Sequence, residues 1–437
     1  MIFGCAPTTR DEPIDAELNV PKDWQSYIES NQIKSDFLVQ FNDPLLKQYI
    51  DEAWSQNKDL AAIAASVSQA TSLVDEVSSG LLPSAGIEIG ANRQQEQGFI
   101  SDIRNSALQV TWDLDVWGRL QSEREGALND ARSINADFAF AKQAIATNVI
   151  KAYVIIIEAN HIAKTTSQSE QNLSRIYENV KLLFDEGLAS TQDLAISRAD
   201  LASIRSQLAE SNGAVRDAKR ALEMLLGRYP SSSINTMDIM PTLPALPKVG
   251  IPTDVIARRA DLIAAERRVA ASFNRLDAAY AARLPSLSIT GSFGGISDGF
   301  SGLLNDVNRS WLAGATLFAP MFQGGAIDAQ IAQANARQEE AMAQYQNTVL
   351  KAFNEVEAAL DAGIILSERL KELTIAEGAA QEAFRVAKVR FDEGDIELID
   401  LLSIEQRLLA RQLDVQSTQS LLRQQRADLY LALGGEW

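Results

Sequence analysis

Side chains able to do chemistry are few in this chain, and its carboxylates are grouped. Of 437 residues, 58 are Asp or Glu against 40 Lys or Arg, a formal charge of −18. Asp185, Glu186 and Asp193 fall close together, and Asp392, Glu393, Asp395, Glu397 and Asp400 do so again later. Carboxylates in such groups either cap helix N-termini, whose orphan N–H groups favour them, or gather cations and repel one another. One histidine, His161, and one cysteine, Cys5, complete the reactive set. From these no intrachain disulfide, zinc cluster or Cys/His nucleophile pair can be built, so no metal, no cofactor and no enzyme activity is expected. His161, followed by apolar Ile162 and Ala163 in a helical pattern, reads as structural. Gly294-Gly295 and Gly434-Gly435 lack the helix that a phosphate-cradling loop requires. The acidic balance supplies no basic stripe for nucleic acid.

Cys5 has a second possible chemistry. In Ile2-Phe3-Gly4-Cys5 a small residue precedes the cysteine and an aliphatic one stands three positions ahead, as in a bacterial lipobox. No apolar leader precedes it, so the numbering is expected to begin inside a signal peptide. A chance Gly-Cys is the alternative; a sole cysteine at the expected mature start favours lipidation.

The elements that position these groups are written twice. Phe184-Asp185-Glu186-Gly187 returns as Phe391-Asp392-Glu393-Gly394, at 391 − 184 = 207, and Asp193-Leu194 meets Asp400-Leu401 at the same offset. Leu82-Pro83-Ser84 returns as Leu284-Pro285-Ser286, and Asp59-Leu60 as Asp261-Leu262, both displaced by 202. Each copy runs helix, Leu-Pro-Ser, β-hairpin, long helix, acidic turn, long helix. Repeat 1 spans 45–228, with a hairpin at 85–117 and helices at 118–183 and 189–227. Repeat 2 spans 253–437, with a hairpin at 286–322 and helices at 325–390 and 397–433. The first 44 residues are irregular, and the five prolines of the linker 229–252 exclude a helix there.

The long helix has apolar residues at spacings of three and four, and about 95 Å of length is expected. The helix after each turn carries heptads, Leu194, Leu201, Leu208, Val215 and Leu222 in one copy and Leu401, Leu408, Val415, Leu422 and Leu429 in the other. The hairpins alternate: Leu108, Val110, Trp112, Leu114 and Val116 oppose Gln109, Thr111, Asp113 and Asp115, and Leu287, Ile289 and Phe293 oppose Ser286, Ser288, Thr290 and Ser292. Strands of about ten residues suffice to cross an outer membrane at a tilt, and Trp112, Trp117 and Trp311 suit an interfacial girdle. No run of 18 apolar residues occurs, so any spanning is by strands. Four strands cannot close on themselves, and open edges in hydrocarbon are costly, so copies must pool their hairpins in a symmetric oligomer.

These segments resemble the TolC-like outer-membrane efflux factors over nearly the whole chain. The matching residues are Arg259-Ala260-Asp261-Leu262, both Leu-Pro-Ser segments, Trp112-Asp113-Leu114-Asp115-Val116-Trp117-Gly118-Arg119, Gly187-Leu188-Ala189-Ser190, Phe322-Gln323-Gly324-Gly325 and Phe391 to Arg407. Ala260 stands where the family often has Pro, and Ser403 where many members have Asp. With the lipobox, the chain looks like the lipoprotein branch, which serves multidrug and metal efflux. The resemblance implies a mainly α fold with a membrane β-barrel, a homotrimer joining twelve strands in the outer membrane of a Gram-negative bacterium to an α-helical barrel in the periplasm. Residues 1–44, lipid-anchored, and the linker form its equatorial belt. The implied function is a passive duct taking substrates from a periplasmic adaptor and an inner-membrane pump. The tips Phe184, Asp185, Glu186, Gly187, Phe391, Asp392, Glu393 and Gly394 meet the adaptor.

In such a trimer one inward carboxylate per chain becomes a ring of three, which attracts cations and resists full ionisation. Asp400 is the expected constriction, with Ser403 a less charged second ring, and with Asp193 either at the gate or a helix cap. Asp400 carries both readings as well. A coiled-coil scaffold lipoprotein without a pore is the alternative function; it accounts for the heptads but not for apolar-faced hairpins.

Overall fold

The computed structural model describes residues 21, 23–25, 40–96, 98–246, 251–303 and 305–435. Cys5 lies outside them, as does most of segment 1–44. The order is α1 (Pro44–Gln56), α2 (Lys58–Ser79), β1 (Ser84–Glu96), β2 (Phe99–Leu114), α3 (Arg119–Asp185), α4 (Thr191–Leu225), α5 (Pro252–Arg258), α6 (Ala260–Ala281), β3 (Ser286–Ser297), β4 (Arg309–Phe318), α7 (Ala326–Asp392) and α8 (Leu398–Ala432). Two single-turn 3-10 helices, Phe300–Gly302 and Asp306–Asn308, lie between β3 and β4.

The duplication holds in the three long helix pairs. α2 and α6 each have 22 residues, α3 and α7 each have 67, and α4 and α8 each have 35. Their starts are displaced by the sequence offsets, 202 for the first pair and 207 for the others. A 67-residue helix runs about 100 Å. The hairpin strands stop short of the expected 117 and 322, because turns intervene before the helices. Asp115 ends β2 by capping α3: its Oδ1 accepts from the Leu120 N–H at 3.0 Å and its Oδ2 from the Gln121 N–H at 2.8 Å. Beyond β4, Pro320 has no N–H to extend a ladder.

The described residues form two compact units that cut across the sequence repeats. One joins Ile63–Phe138 to Asp261–Val349; the other joins Trp24, residues 40–62, Ala139–Ala260 and Leu350 onwards. The first contains the sheet, with α6 held to α3 by the ion pairs Arg275–Asp130 and Arg268–Asp137. In the second, Trp24, Val255, Val356, Leu360, Leu429 and Leu433 form a core, with Trp24 edge-on to Phe353 at 5.8 Å. Arg259 is buried there and donates to the Ala432 carbonyl at 3.0 Å while pairing with Glu355 at 2.8 Å, so the motif arginine is a structural tie.

Among the described residues one helix, α3, is long and apolar enough to cross a membrane by length and composition, although no run of 18 apolar residues exists. Its apolar stretch is spent on the second unit's core: Val149, Ile150, Tyr153, Val154, Ile156 and Ile157 are all fully buried.

The proline-rich linker is strapped down by side chains, since it cannot pair its own carbonyls in a helix or ladder. Arg423 Nε donates to Pro241 O at 2.7 Å, Arg426 Nη1 to Pro244 O at 2.9 Å, and Tyr49 Oη to Asn235 O at 2.8 Å. His161 Nε2 meets the Asp238 carbonyl at 2.7 Å, a structural use of the one histidine. Glu223, buried near the end of α4, accepts from the backbone N–H groups of Ser232 and Ser233, both at 2.7 Å, and from the Ser231 hydroxyl at 3.2 Å.

Candidate functional site

Two features of the chain could serve a function: the sheet of the first unit and the paired turns of the second. The sheet is antiparallel in the order β1-β2-β3-β4, so the two hairpins are joined through β2 and β3. Its register sets Ile87 opposite Leu108, Leu108 opposite Phe293, and Phe293 opposite Trp311. Two rows along on the same face Trp112 lies opposite Ile289, while Thr111 with Thr290 and Asp113 with Ser288 occupy the other face. One face is thus apolar across all four strands. Ile87 is 76% exposed, Phe293 58% and Trp311 77%. A contiguous exposed apolar face of this kind marks contact with lipid or with a partner. Among the described residues, the outer edges of β1 and β4 have no strand partner.

All four strands meet helices at one end of the sheet, and Trp112 and Trp117 sit there. Trp112 Nε1 donates to Leu81 O at 3.0 Å, and Trp117 Nε1 donates to Pro285 O at 2.7 Å. Each indole buries its polar tip in a strand-entry carbonyl and leaves its body exposed, as an interfacial aromatic does. Trp117 lies beyond β2, in the turn before α3, and Trp311 lies toward the opposite end of the sheet.

The turns are near copies. Gly187 has φ +76 and Gly394 φ +81, a left-handed conformation that glycine adopts without a Cβ clash. Gly187 N–H bonds Phe184 O at 2.9 Å and Leu188 N–H bonds Leu183 O at 2.7 Å; Gly394 N–H and Asp395 N–H repeat this on Phe391 O and Arg390 O at 3.0 and 2.7 Å. Phe391 packs into a cluster with Leu173, Val180, Leu201, Leu398 and Leu402, whereas Asp185, Glu186, Asp392 and Glu393 are exposed. Exposed apolar side chains, Leu182, Leu188 and Ile399, flank these acids and were not anticipated; Leu188, directly after a turn glycine, was the available signal.

The helix starts after the turns differ. Ser190 Oγ accepts from the Asp193 N–H at 3.0 Å, and Asp193 Oδ2 accepts from the Ser190 N–H at 3.0 Å and from its hydroxyl at 2.7 Å. These bonds hold the Asp193 carboxyl below the usual carboxylate range. In the second copy Glu397 is the N-cap and makes no side-chain capping bond. Asp400 is exposed, and Ser403 Oγ donates back to the Asp400 carbonyl at 2.8 Å.

Above the turns lies a buried acid that sequence reasoning missed. Glu405 on α8 is 3% exposed, accepts a short hydrogen bond from Ser169 Oγ on α3, and leaves Oε2 without a partner. Burial pushes its pKa up; the Ser169 bond opposes this and the Asp200 charge adds to it. Glu405 shares a cavity of about 270 Å³ with Asp200, Ser203 and Gln207. In the sequence it is one more polar residue beside a heptad seam.

A sheet with a bare apolar face, together with long duplicated helices that turn at acidic loops, fits a membrane-channel class of protein. The chain belongs to the outer membrane efflux protein family, whose model matches residues 49–228 and 251–435, either side of the linker. It is 26% identical to the probable efflux pump outer membrane protein SepC of Pseudomonas putida, over 97% of this chain and 86% of that one. The outer membrane protein OprJ of Pseudomonas aeruginosa is also 26% identical, over 95% and 86%. Among solved structures, the outer-membrane channel OprN superposes with a TM-score of 0.89 at 24% identity, over 99% of both chains. The open state of the Neisseria gonorrhoeae MtrE outer membrane channel does so with a TM-score of 0.86 at 25% identity, over 97% of both. The fold is therefore that of the TolC-like outer-membrane channels.

Proposed function

We propose that this chain is the outer-membrane channel subunit of a tripartite efflux system, conducting passively what an inner-membrane pump delivers through a periplasmic adaptor. The observation that carries the reading is the four-stranded sheet with a bare apolar face and two unpaired edges. In hydrocarbon each unpaired backbone group costs several kcal/mol, so the edges must close on other copies. Three chains of four strands give a twelve-stranded barrel, within the range of outer-membrane barrels. A pore-free scaffold has no use for such a face.

Within that assembly we assign the tips at Phe184–Gly187 and Phe391–Gly394, with Leu182, Leu188 and Ile399 beside them, to adaptor contact. Asp400 is assigned to the constriction, because its carboxylate is exposed and uncommitted, and Ser403 to a neutral ring one turn further. Asp193 is assigned to helix capping. Trp112, Trp117 and Trp311 form the girdle, and Cys5 is the site of lipidation, tested by the N-terminal mass of Cys5→Ser. No catalytic step is asked of this chain.

Cross-linking tests the assembly. In a Cys5→Ser background no cysteine remains, so pairs placed on β1 and β4, scanned over Ala85 to Ile89 and Ala313 to Leu317, report on edge pairing alone. Oxidation should yield ladders ending at three chains. Intrachain products or unlimited ladders would reject the closed trimer.

A further inference from the structure

The exposed face of the sheet changes character at one level. Beyond its apolar rows the same face carries Arg93 on β1, Arg104 on β2 and Arg309 on β4. Alternation along each strand puts Arg93 with Ile87 and Ile89, Arg104 with Leu108 and Trp112, and Arg309 with Trp311 and Leu317. Arg93 lies opposite Asp102 and Arg104 opposite Ala91, which makes the two arginines diagonal neighbours. Arg309 lies opposite Gly295, itself opposite Ser106, two residues along β2 from Arg104.

The level of this row is set by strand length. Ser84 to Arg93 is nine residues, Leu114 to Arg104 ten, and Phe318 to Arg309 nine. Nine residues at about 3.3 Å each, on a strand tilted by about 40°, climb about 23 Å. The apolar band of an outer-membrane barrel is about 25 Å tall. The guanidinium groups therefore emerge at the band's far boundary, opposite the helices and next to Trp311.

Each arginine is steadied at one nitrogen and keeps donors free. Arg93 Nε lies 3.5 Å from Asp102, and Arg309 Nη2 lies 2.6 Å from Asp306. Arg104 Nη1 donates to the Asp298 carbonyl, its guanidinium rests 5.1 Å over the Phe300 ring, and its Nε is buried, which leaves the Nη groups to face a headgroup. The side chains of Arg93 and Arg309 are 71% and 61% exposed. A guanidinium has five donors in a fork that fits phosphate oxygens, and here three stand directly above an apolar surface.

We propose that Arg93, Arg104 and Arg309 bind the phosphate groups of outer-leaflet lipid headgroups, with the acyl chains lying along Ile87, Phe293 and Trp311. The proposal rests on the reading that the sheet spans the outer membrane. The continuous apolar surface beneath the row selects a lipid rather than a free anion. Asp102 and Asp306 orient the arginines and compete with the phosphate, so Asp102→Asn tightens binding.

The test uses the purified full-length chain in detergent, with native mass spectrometry against lipid A, dephosphorylated lipid A and inorganic phosphate. The wild type should prefer lipid A over its dephosphorylated form by about tenfold or more, the loss of at least one charge-assisted contact. The triple variant Arg93→Gln, Arg104→Gln, Arg309→Gln should bind both forms equally weakly while keeping wild-type conductance in planar bilayers. A triple variant that keeps the preference overturns the proposal, and so does inorganic phosphate binding as tightly as lipid A. A wild type that forms no pores overturns the channel reading itself; pores without a phosphate preference overturn this proposal alone.

Discussion

Ser190 and Asp193 hold each other in a reciprocal capping box, through Ser190 Oγ to the Asp193 N–H at 3.0 Å and Asp193 Oδ2 to the Ser190 N–H at 3.0 Å. At the 207-residue offset their counterparts are Glu397 and Asp400, and Glu397 makes no side-chain capping bond. One replacement, Ser by Glu at the N-cap, separates a carboxylate spent on its own helix from one left free. Asp193→Ala should therefore cost about 1 kcal/mol of local stability, the usual worth of a cap. Hydrogen exchange should show faster opening of the first turn of α4. Glu397→Ser should rebuild the box in the second copy and slow exchange at the start of α8.

The linker lock has a pH sign. Burial raises the Glu223 pKa, but the N–H groups of Ser232 and Ser233 and the hydroxyls of Ser231 and Ser233 outweigh it, so the carboxyl titrates below its ordinary value. A depressed folded pKa gives stability that is present above the unfolded value, about 4.3, and is lost as pH falls through the folded one. Limited proteolysis between Tyr229 and Leu246 should be slow at neutral pH and accelerate only below about pH 4. Glu223→Ala, which leaves the serine donors without an acceptor at about 1–3 kcal/mol, should expose this segment to protease at every pH.

Glu405 has the opposite sign. Its folded pKa is raised, chiefly by burial, so its contribution is best below the unfolded value of about 4.3 and worsens as pH rises through the folded one. Glu405→Gln can still accept from Ser169. It should raise the apparent Tm by about 1 °C at pH 7.5, for a relief of about 1 kcal/mol in a chain of 437 residues, and change it little at pH 4. An equal change at both pH values would contradict a charge-burial origin.

Much of this was legible before any coordinates. Alternation in Leu108, Val110 and Trp112 declared a two-faced strand, and the repeated Phe-Asp-Glu-Gly fixed where both long helices turn. What escaped depends on partners distant in sequence. Glu405 and Ser169 are separated by 236 positions, and Tyr153 meets Asp43 across 110. Periodicity reports which face a residue occupies, not what waits opposite. The strands end short of the alternating pattern for a local reason, since Asp115 alternates like a strand residue yet serves α3 as a cap.

The two faces of the sheet should respond differently to charge. Phe293→Arg places a cation on the apolar face about half-way along the strands, at a cost of about 2–4 kcal/mol near a bilayer midplane, and should abolish assembly seen as an SDS-resistant oligomer. Ser292→Arg, one residue along and on the other face, should assemble normally.

Single-channel recording in planar bilayers tests the central claim most directly, with the wild type compared against Asp400→Ala and Asp193→Ala. A duct gated by Asp400 predicts cation-preferring pores, with Asp400→Ala conducting more and losing the preference while Asp193→Ala keeps it. Pores whose conductance and selectivity are indifferent to Asp400 would contradict the gate, and an absence of pores would contradict the channel.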